Sequence, residues 1–478
     1  MNNLGLSKLL PEGILLGTIL LTLILDLIRK NKKQIWLISI SGIIVSLLSI
    51  FRTPIGFSFG TSFEGTYFNL GFRLIILFST LLCIVFSTDY IQQTSAKLNE
   101  YVSILLTATL GSLLLTGAND LVTIFVALET LGLSSYLMTA YMTNDLKSNE
   151  AAIKYLVIGA VSTSFFLYGL SWLYGLSGGE IELHRISASL EAMDLTNSWG
   201  IFISLIFITI GVGFKISAFP FHQWTPDVYE GAPVPVTAFL SVVSKSAGVA
   251  LLIRLFTTIF SLQSETWTYG LQIMAIGSMV IGNVVALSQT SIKRMLGYSS
   301  IAQIGFILIG ILANNPSGYA STLSYLYFYI FMNLGAFACV ILLSLKIGSD
   351  QINDYIGLLQ KEPLLATGLS FCLISLAGIP PSAGFFGKMY LFTIGWKSGT
   401  YLAVVIGLLT SVISIGYYLR VVQLMIIDTS SSDQIVYKKQ GSVPFNVGLA
   451  TCLAGTLGSG ILSNAWINSI QDIANSSF

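Results

Sequence analysis

Fourteen continuous apolar runs, each about as long as a bilayer is thick, constrain this chain more than any other feature. They lie near residues 10–28, 35–51, 68–88, 101–117, 120–141, 153–175, 200–219, 233–260, 267–289, 295–313, 320–346, 363–395, 401–427 and 445–466. A hydrocarbon core of about 30 Å takes roughly 20 apolar residues per helix, so each run reads as a spanning helix. The runs at 233–260, 320–346 and 363–395 are longer than a simple span. Membrane barrels need ten-residue alternation, and these runs do not alternate. The expected fold class is an all-α polytopic membrane protein with about 14 transmembrane helices.

Composition removes the alternatives. Only 9% of the 478 residues are charged and 54% are hydrophobic, against about 25% charged in soluble domains. A net charge of +1 leaves no basic excess for nucleic acid. The 44 glycines show no triplet period, which excludes collagen. Cys83, Cys339, Cys372 and Cys452 are scattered through apolar segments without a CxxC pair, and His184 and His222 are the only histidines. Zinc, iron–sulfur and haem sites therefore lack ligands at usable spacing, and no cofactor or metal is expected to bind this chain. The cysteines read as small apolar residues in packed helices. The N-terminal stretch lacks the look of a transit peptide or a cleaved signal, so the first run is expected to be a retained helix.

Loops after odd-numbered runs hold twelve Lys and Arg, from Arg29, Lys30, Lys32 and Lys33 to Lys438 and Lys439, and include Lys97. The other side holds Lys8, Arg52, Arg185, Arg254 and Lys397. The positive-inside rule then places both termini away from the cytoplasm or its organellar equivalent. The acidic loop 176–199, with Glu180, Glu182, Glu191 and Asp194, falls on the side of the termini. The closing NAWINSIQDIANSSF is expected there as an exposed tail.

Two runs are interrupted. The seventh runs into Phe219-Pro220-Phe221-His222-Gln223-Trp224, and the twelfth contains Gly378-Ile379-Pro380-Pro381. The breaks lie five helices apart. Because five is odd, a second five-helix block would sit upside down relative to the first. The expected organisation is an N-terminal three-helix segment (1–100), a first five-helix repeat (101–260), a second, inverted repeat (261–427) and a C-terminal helix and tail (428–478). Inverted repeats with one broken helix each mark transporters, and the breaks mark the ion path.

Charges inside the spans point the same way. A mid-bilayer charge costs about 2.5–3.5 kcal/mol on insertion scales, so each is a functional candidate. Arg73, Lys154 and Arg420 lie near predicted helix ends, where a long side chain can snorkel or pair. Glu129, Lys245 and Lys388 lie too deep for that. Lys215, five residues before Pro220, is buried if the chain continues into the membrane beside the break. Desolvation favours a neutral amine and a nearby carboxylate favours the ammonium. A row of Glu and Lys can therefore hold and release protons in turn. Ser134, Ser135, Thr237, Ser241, Ser244 and Ser246 could carry water between them, although small residues of this kind also serve plain helix packing. Three ammonium groups and sparse oxygen ligands suit a sodium site poorly.

The segments FKISAFPFHQWTPDVYEGAPVPVTAFLSVVSKSAG, ANDLVTIFVALETL, KRMLGYSSIAQIGF and GIPPSAGFFGKMYLF resemble the antiporter-like membrane subunits of complex I. They look most like the subunit 2 branch of the photosynthetic NAD(P)H–plastoquinone oxidoreductases (NDH) of cyanobacteria and plastids. The resemblance runs from about residue 10 to 470. It implies a proton-translocating subunit of the thylakoid membrane, partnered by other membrane-arm subunits. Plastoquinone, iron–sulfur clusters and an NAD(P)H or ferredoxin donor would be used elsewhere in the complex. By motif, Glu129 matches the modulating glutamate, Lys215 the lysine of the broken seventh helix, Lys245 the connecting lysine and Lys388 the terminal lysine. Lys154 matches a further, sixth-helix lysine. Many respiratory relatives carry His where this sequence has Gln303, which can orient water but cannot titrate. His222, at the first break, reads as a structural hydrogen-bonding residue or a participant. The competing readings are a cation/proton antiporter subunit without a redox partner and a structural subunit whose lysines no longer pump.

Overall fold

The computed structural model describes residues 8–29, 32–53, 56–94, 98–193, 198–427 and 441–477. Lys30, Lys97, Asp194, Lys438 and Lys439 of the charge pattern lie outside the described residues. Lipid offers no hydrogen-bond partner, so apolar segments satisfy their own backbone as helices. The N-terminal segment holds α1 (Leu10–Arg29), α2 (Lys32–Ile50) and α3 (Tyr67–Gln93), with an antiparallel hairpin of β1 (Phe57–Phe59) and β2 (Phe63–Gly65) before α3. Next come α4 (Leu98–Gly117), α5 (Leu121–Thr139), α6 (Leu146–Leu176), α7 (Leu183–Ala192), α8 (Trp199–Ile216) and α9 (Trp224–Gly231). A π-helical turn, Leu240–Ser244, joins α10 (Val234–Phe239) to α11 (Lys245–Thr258). Then follow α12 (Ser264–Leu287), α13 (Ile292–Leu312), α14 (Pro316–Ile347), α15 (Leu358–Lys361), α16 (Pro363–Ala377), α17 (Ala383–Lys397) and α18 (Tyr401–Ile426). The chain closes with α19 (Val443–Ile461) and α20 (Ser463–Asn475).

Among the described residues, eleven helices are long and apolar enough to span a bilayer, or twelve if α19 and α20, bent by 84°, count as one. The expected count of fourteen is not reached by this measure. The run at 35–51 is covered by Gln34–Ile50, too short to qualify, and the run at 363–395 is split into two 15-residue halves. The apolar stretches of α10–α11, α13 and α14 are almost wholly buried, with residues such as Arg254, Thr257 and Thr258 partly exposed, so these three form the protein's interior. Helices α6, α12 and α18 turn apolar side chains such as Val157, Ile273 and Val412 outward.

Three features differ from the sequence expectation. The hairpin at 57–65 and the amphipathic α7 within the acidic loop were too short to show in a search for spans. The C-terminal stretch is mostly exposed, as expected, but it is helical and docked along one face. It forms α20, which buries Ile470 and Ala474, stacks Trp466 on Tyr327 at 4.6 Å, and is followed by Ser477, whose Oγ accepts from Phe68 N at 2.9 Å. Its apolar residues recur at helical rather than spanning length, which is what a helix lying against the bundle end needs.

Two helix pairs approach closely with one internal spacing. A Cβ on Gly111 of α4 would lie 2.7 Å from Leu131 N and 2.9 Å from Ala127 O of α5. A Cβ on Gly282 of α12 would lie 2.6 Å from Ala302 N and 2.9 Å from Tyr298 O of α13. In both pairs the touched residues stand 16 and 20 positions beyond the glycine. Position 18 is Glu129 in the first pair and Ser300 in the second.

Candidate functional site

Both interrupted helices carry their own repair. Helix α8 stops at Ile216, where Ser217 takes a left-handed conformation (φ 63°), and the chain passes through a cis Phe219–Pro220 bond before α9. Trp224 Nε1 donates to Phe214 O at 3.1 Å, and Phe219 N donates to Ser278 Oγ at 2.8 Å, so groups freed by the break are bonded again. Helix α16 stops at Ala377, capped by Gly378 (φ 85°), and a cis Pro380–Pro381 bond leads to α17. A side chain at Gly378 would be strained in that conformation, and one at Gly384 would meet Ser375 O.

Each break holds a lysine. Lys215 sits in the last turn of α8, 3% exposed, with its stem against α11; a Cβ on Gly248 would lie 3.3 Å from Lys215 Cγ. The C-terminal turn of a helix favours a cation. Glu129 of α5 is half-buried, with its Oε1 buried and without a hydrogen-bond partner. Lys388 of α17 reaches back across the second break. Its Nζ donates to Leu376 O at 2.9 Å and Ala377 O at 3.2 Å, the orphan carbonyls of α16, and lies 4.8 Å from the Phe306 ring.

Lys245 stands between them at the start of α11, directly after the π turn. Its Nζ donates to Ser300 Oγ at 2.8 Å and Ser300 O at 3.1 Å on α13, and sits 5.9 Å from the Tyr229 ring. One helical turn beyond Ser300, Gln303 accepts from the Tyr325 hydroxyl and donates to Leu376 O at 3.4 Å, the same carbonyl that Lys388 holds. Tyr418, bonded to Ser299, lies 3.5 Å from Gln303 Nε2. Ser300, which holds Lys245, and Gln303, which shares the Leu376 carbonyl with Lys388, thus stand one turn apart on α13 without a direct bond between them: the Ser300 hydroxyl donates to Gly297 O at 2.7 Å.

The remaining candidates are placed differently. Lys154 does not join the row: its ammonium is 43% exposed and pairs with Glu150 at 2.8 Å and Asp227 at 3.1 Å, in a surface cleft with Lys147, Glu230 and Arg294. It lies on the outward side of α6, where a long side chain finds these acids first. Arg73 is fully buried and paired with Glu12 of α1, and Arg420 donates to Leu287 O at 3.2 Å. His222 lies at the first break with Nδ1 buried and unbonded. Of the hydroxyls, Ser241 accepts from Asn333 Nδ2 at 2.6 Å, Ser135 and Thr237 bond backbone carbonyls, and Ser244 and Ser246 are buried without partners. Arg254, counted as a loop residue, lies inside α11.

Ser300, Tyr325, Asn333 and Tyr418 were missed as site residues. The three-residue spacing of Ser300 and Gln303 was a usable signal, because it puts both on one helix face. No local pattern marks the tyrosines or Asn333. The four described cysteines are buried and free, and Cys372 and Cys452 meet at Gly335 of α14, near Cys339. Among the described residues no group of three or more His, Cys, Asp or Glu has metal-holding geometry.

Residues 118–414 match the family described as NADH:quinone oxidoreductase/Mrp antiporter, TM. The chain is 50% identical over 484 residues to NAD(P)H-quinone oxidoreductase subunit 2, chloroplastic, of Chlorokybus atmophyticus, covering 98% of this chain and 94% of the relative. It is 51% identical over 485 residues to NAD(P)H-quinone oxidoreductase subunit 2 of Synechocystis sp., covering 98% and 93%. Among solved structures, a chain of respiratory complex I from Thermus thermophilus superposes with a TM-score of 0.81 at 27% identity, over 96% of this chain and 99% of that one. A chain of the Mrp complex from Dietzia sp. shares the fold, with a TM-score of 0.86 at 17% identity over 99% and 98%.

Proposed function

Because the chain belongs to the NADH:quinone oxidoreductase/Mrp antiporter transmembrane family, we propose that it is the proton-translocating subunit 2 of an NAD(P)H- or ferredoxin-fed plastoquinone oxidoreductase. It works beside other antiporter-like membrane-arm subunits in the thylakoid membrane, with both termini on the luminal side. The electron carriers belong to other subunits, and this chain contributes the enzyme's translocase half. One observation carries the reading: three buried lysines, two of them at helix breaks, with Lys245 bonded to Ser300 and Lys388 sharing the Leu376 carbonyl with Gln303, one turn from Ser300 on α13.

Glu129 sets the charge state of Lys215, Lys215 and Lys245 exchange a proton where α8 packs against α11 at Gly248, and water ordered by Ser300 and Gln303 carries it toward Lys388. Lys154, with Asp227 and Glu150, gathers protons at the surface opposite the termini. The shared glycine spacing supports two inverted repeats, 101–260 and 261–427, in which Ser300 takes the place of Glu129. A hydroxyl there keeps the second half free of a fixed charge, and Lys245 is held by neutral groups.

The test is the proton yield per electron pair of the assembled complex in native membranes. Lys245→Ala should leave electron transfer running while lowering the yield; an unchanged yield would refute the reading. Recovery of the tagged chain without any iron–sulfur subunit would favour the antiporter subunit instead.

A further inference from the structure

A second titratable cluster lies outside the lysine row, at the end of the bundle where the chain terminates. A cavity of about 470 Å³ opens there between the hairpin, α3, α4, α7 and α11. Glu64 of β2 occupies its wall. Its Oε2 accepts from Arg254 at 2.7 Å and lies 3.3 Å from His184 Nε2 of α7. Arg254 also donates to Asn119 Oδ1 at 3.0 Å, and its Nε is buried without a partner. Glu191 of α7 is the remaining ionisable group on the wall; α3 and α4 present only Asn69, Thr66, Thr116 and apolar side chains. Burial raises the Glu64 carboxyl, but Arg254 and then His184 outweigh it and hold it below its usual range.

The cavity reaches toward the level of Lys245. Ala250, Ile253 and Thr257 form its α11 wall, and Ser246 continues the same helix face one turn deeper, with its hydroxyl buried and unbonded. Between α3 and α4, Asn69 accepts from Thr116 at 3.0 Å at cavity depth, and the Thr80–Thr109 pair lies deeper at 3.1 Å. The buried Ser79 hydroxyl is also unbonded. Buried hydroxyls with free capacity are what an internal file of water requires.

We propose that Glu64, His184 and Arg254 form the site through which protons leave this subunit on the side of the termini. This rests on the proton-translocation reading above. A proton arriving along the Ser246 face forms an O–H bond on Glu64 Oε2. That bond breaks as an N–H bond forms on His184 Nε2, and the imidazolium, 58% exposed, gives the proton to water. Arg254 stays charged throughout. It makes Glu64 a poor store and therefore a ready donor, and it repels protons returning from the cavity mouth.

The experiment compares the proton yield per electron pair of three variants in the assembled complex. Glu64→Gln keeps the shape and the Arg254 bond but cannot carry a proton, and should lose as much yield as Lys245→Ala. His184→Ala should lose yield and regain it when imidazole is added on the termini side, a rescue that a structural role would not show. If Lys245→Ala lowers the yield while Glu64→Gln and His184→Ala pump normally, the release site is refuted. Failure of imidazole to rescue His184→Ala refutes it equally. Should Glu64→Gln not assemble, His184→Ala decides, since its side chain is mostly in solvent. A wild-type yield from Lys245→Ala would instead overturn the translocation reading itself.

Discussion

Gln303→Leu isolates the link between the two halves of the lysine row. Leucine matches glutamine in size, so α13 keeps its packing, but three polar contacts vanish: the acceptor of the Tyr325 hydroxyl and the donors to Leu376 O and Tyr418. The Tyr325 hydroxyl is then buried without a partner, which costs about 1–3 kcal/mol. If the same loss is felt by a proton crossing from Ser300 to Lys388, one decade per roughly 1.4 kcal/mol gives about a 5- to 140-fold slower step. Lys388 keeps its bonds to Leu376 O and Ala377 O, so the break itself stays closed. The assay is proton yield per electron pair, with native gels to show that the complex assembles. Electron transfer should persist while the yield falls, and Gln303→His, which can accept from Tyr325 and also carry a proton, should pump. A Gln303→Leu complex with full yield would refute the role given to this residue.

Other outcomes follow from packing and charge. Gly111→Ala and Gly282→Ala each drive a methyl group into backbone of the facing helix and should cost about 1–3 kcal/mol, seen as lower assembly or thermal stability, whereas Gly17→Ala, with nothing within 4 Å, should not. Glu12→Gln weakens the partner of a fully buried Arg73 and should destabilise by up to about 3–5 kcal/mol; the double change Glu12→Leu with Arg73→Met should recover much of that in unfolding measurements. Glu64's carboxyl is held below its unfolded value, so its contribution to stability is fully present above about pH 4.3 and is lost as pH falls through the lower folded value. Hydrogen exchange of the hairpin amides should quicken in that acid window, and Glu64→Gln should remove the change.

The fold class and most of the row were legible because membrane insertion penalises charge so heavily. For a Lys at 245, twelve residues past Pro233, position along the run alone revealed its depth, and the side chain is buried. Lys154, near a helix end by position, is paired at the surface, but its partners Asp227 and Glu150, on α9 and α6, could not be read from its depth alone. The hairpin and α7 escaped because elements of three and ten residues carry too little apolar signal to stand out among spans.

The sequence by itself determined an all-helical membrane chain, the two breaks at Pro220 and Pro380, and four ionisable groups set deep in apolar runs. These follow from local chemistry, since proline removes a donor and lipid solvates no charge. Only the tertiary structure decided what those groups touch. Ser300 holds Lys245, and Gln303 shares the Leu376 carbonyl with Lys388, because α11, α13, α16 and α17 meet in the interior. Glu64, His184 and Arg254 meet across 190 residues of chain. Hydrogen bonds act over about 3 Å, so partners this far apart in sequence leave no local pattern and are fixed by packing alone.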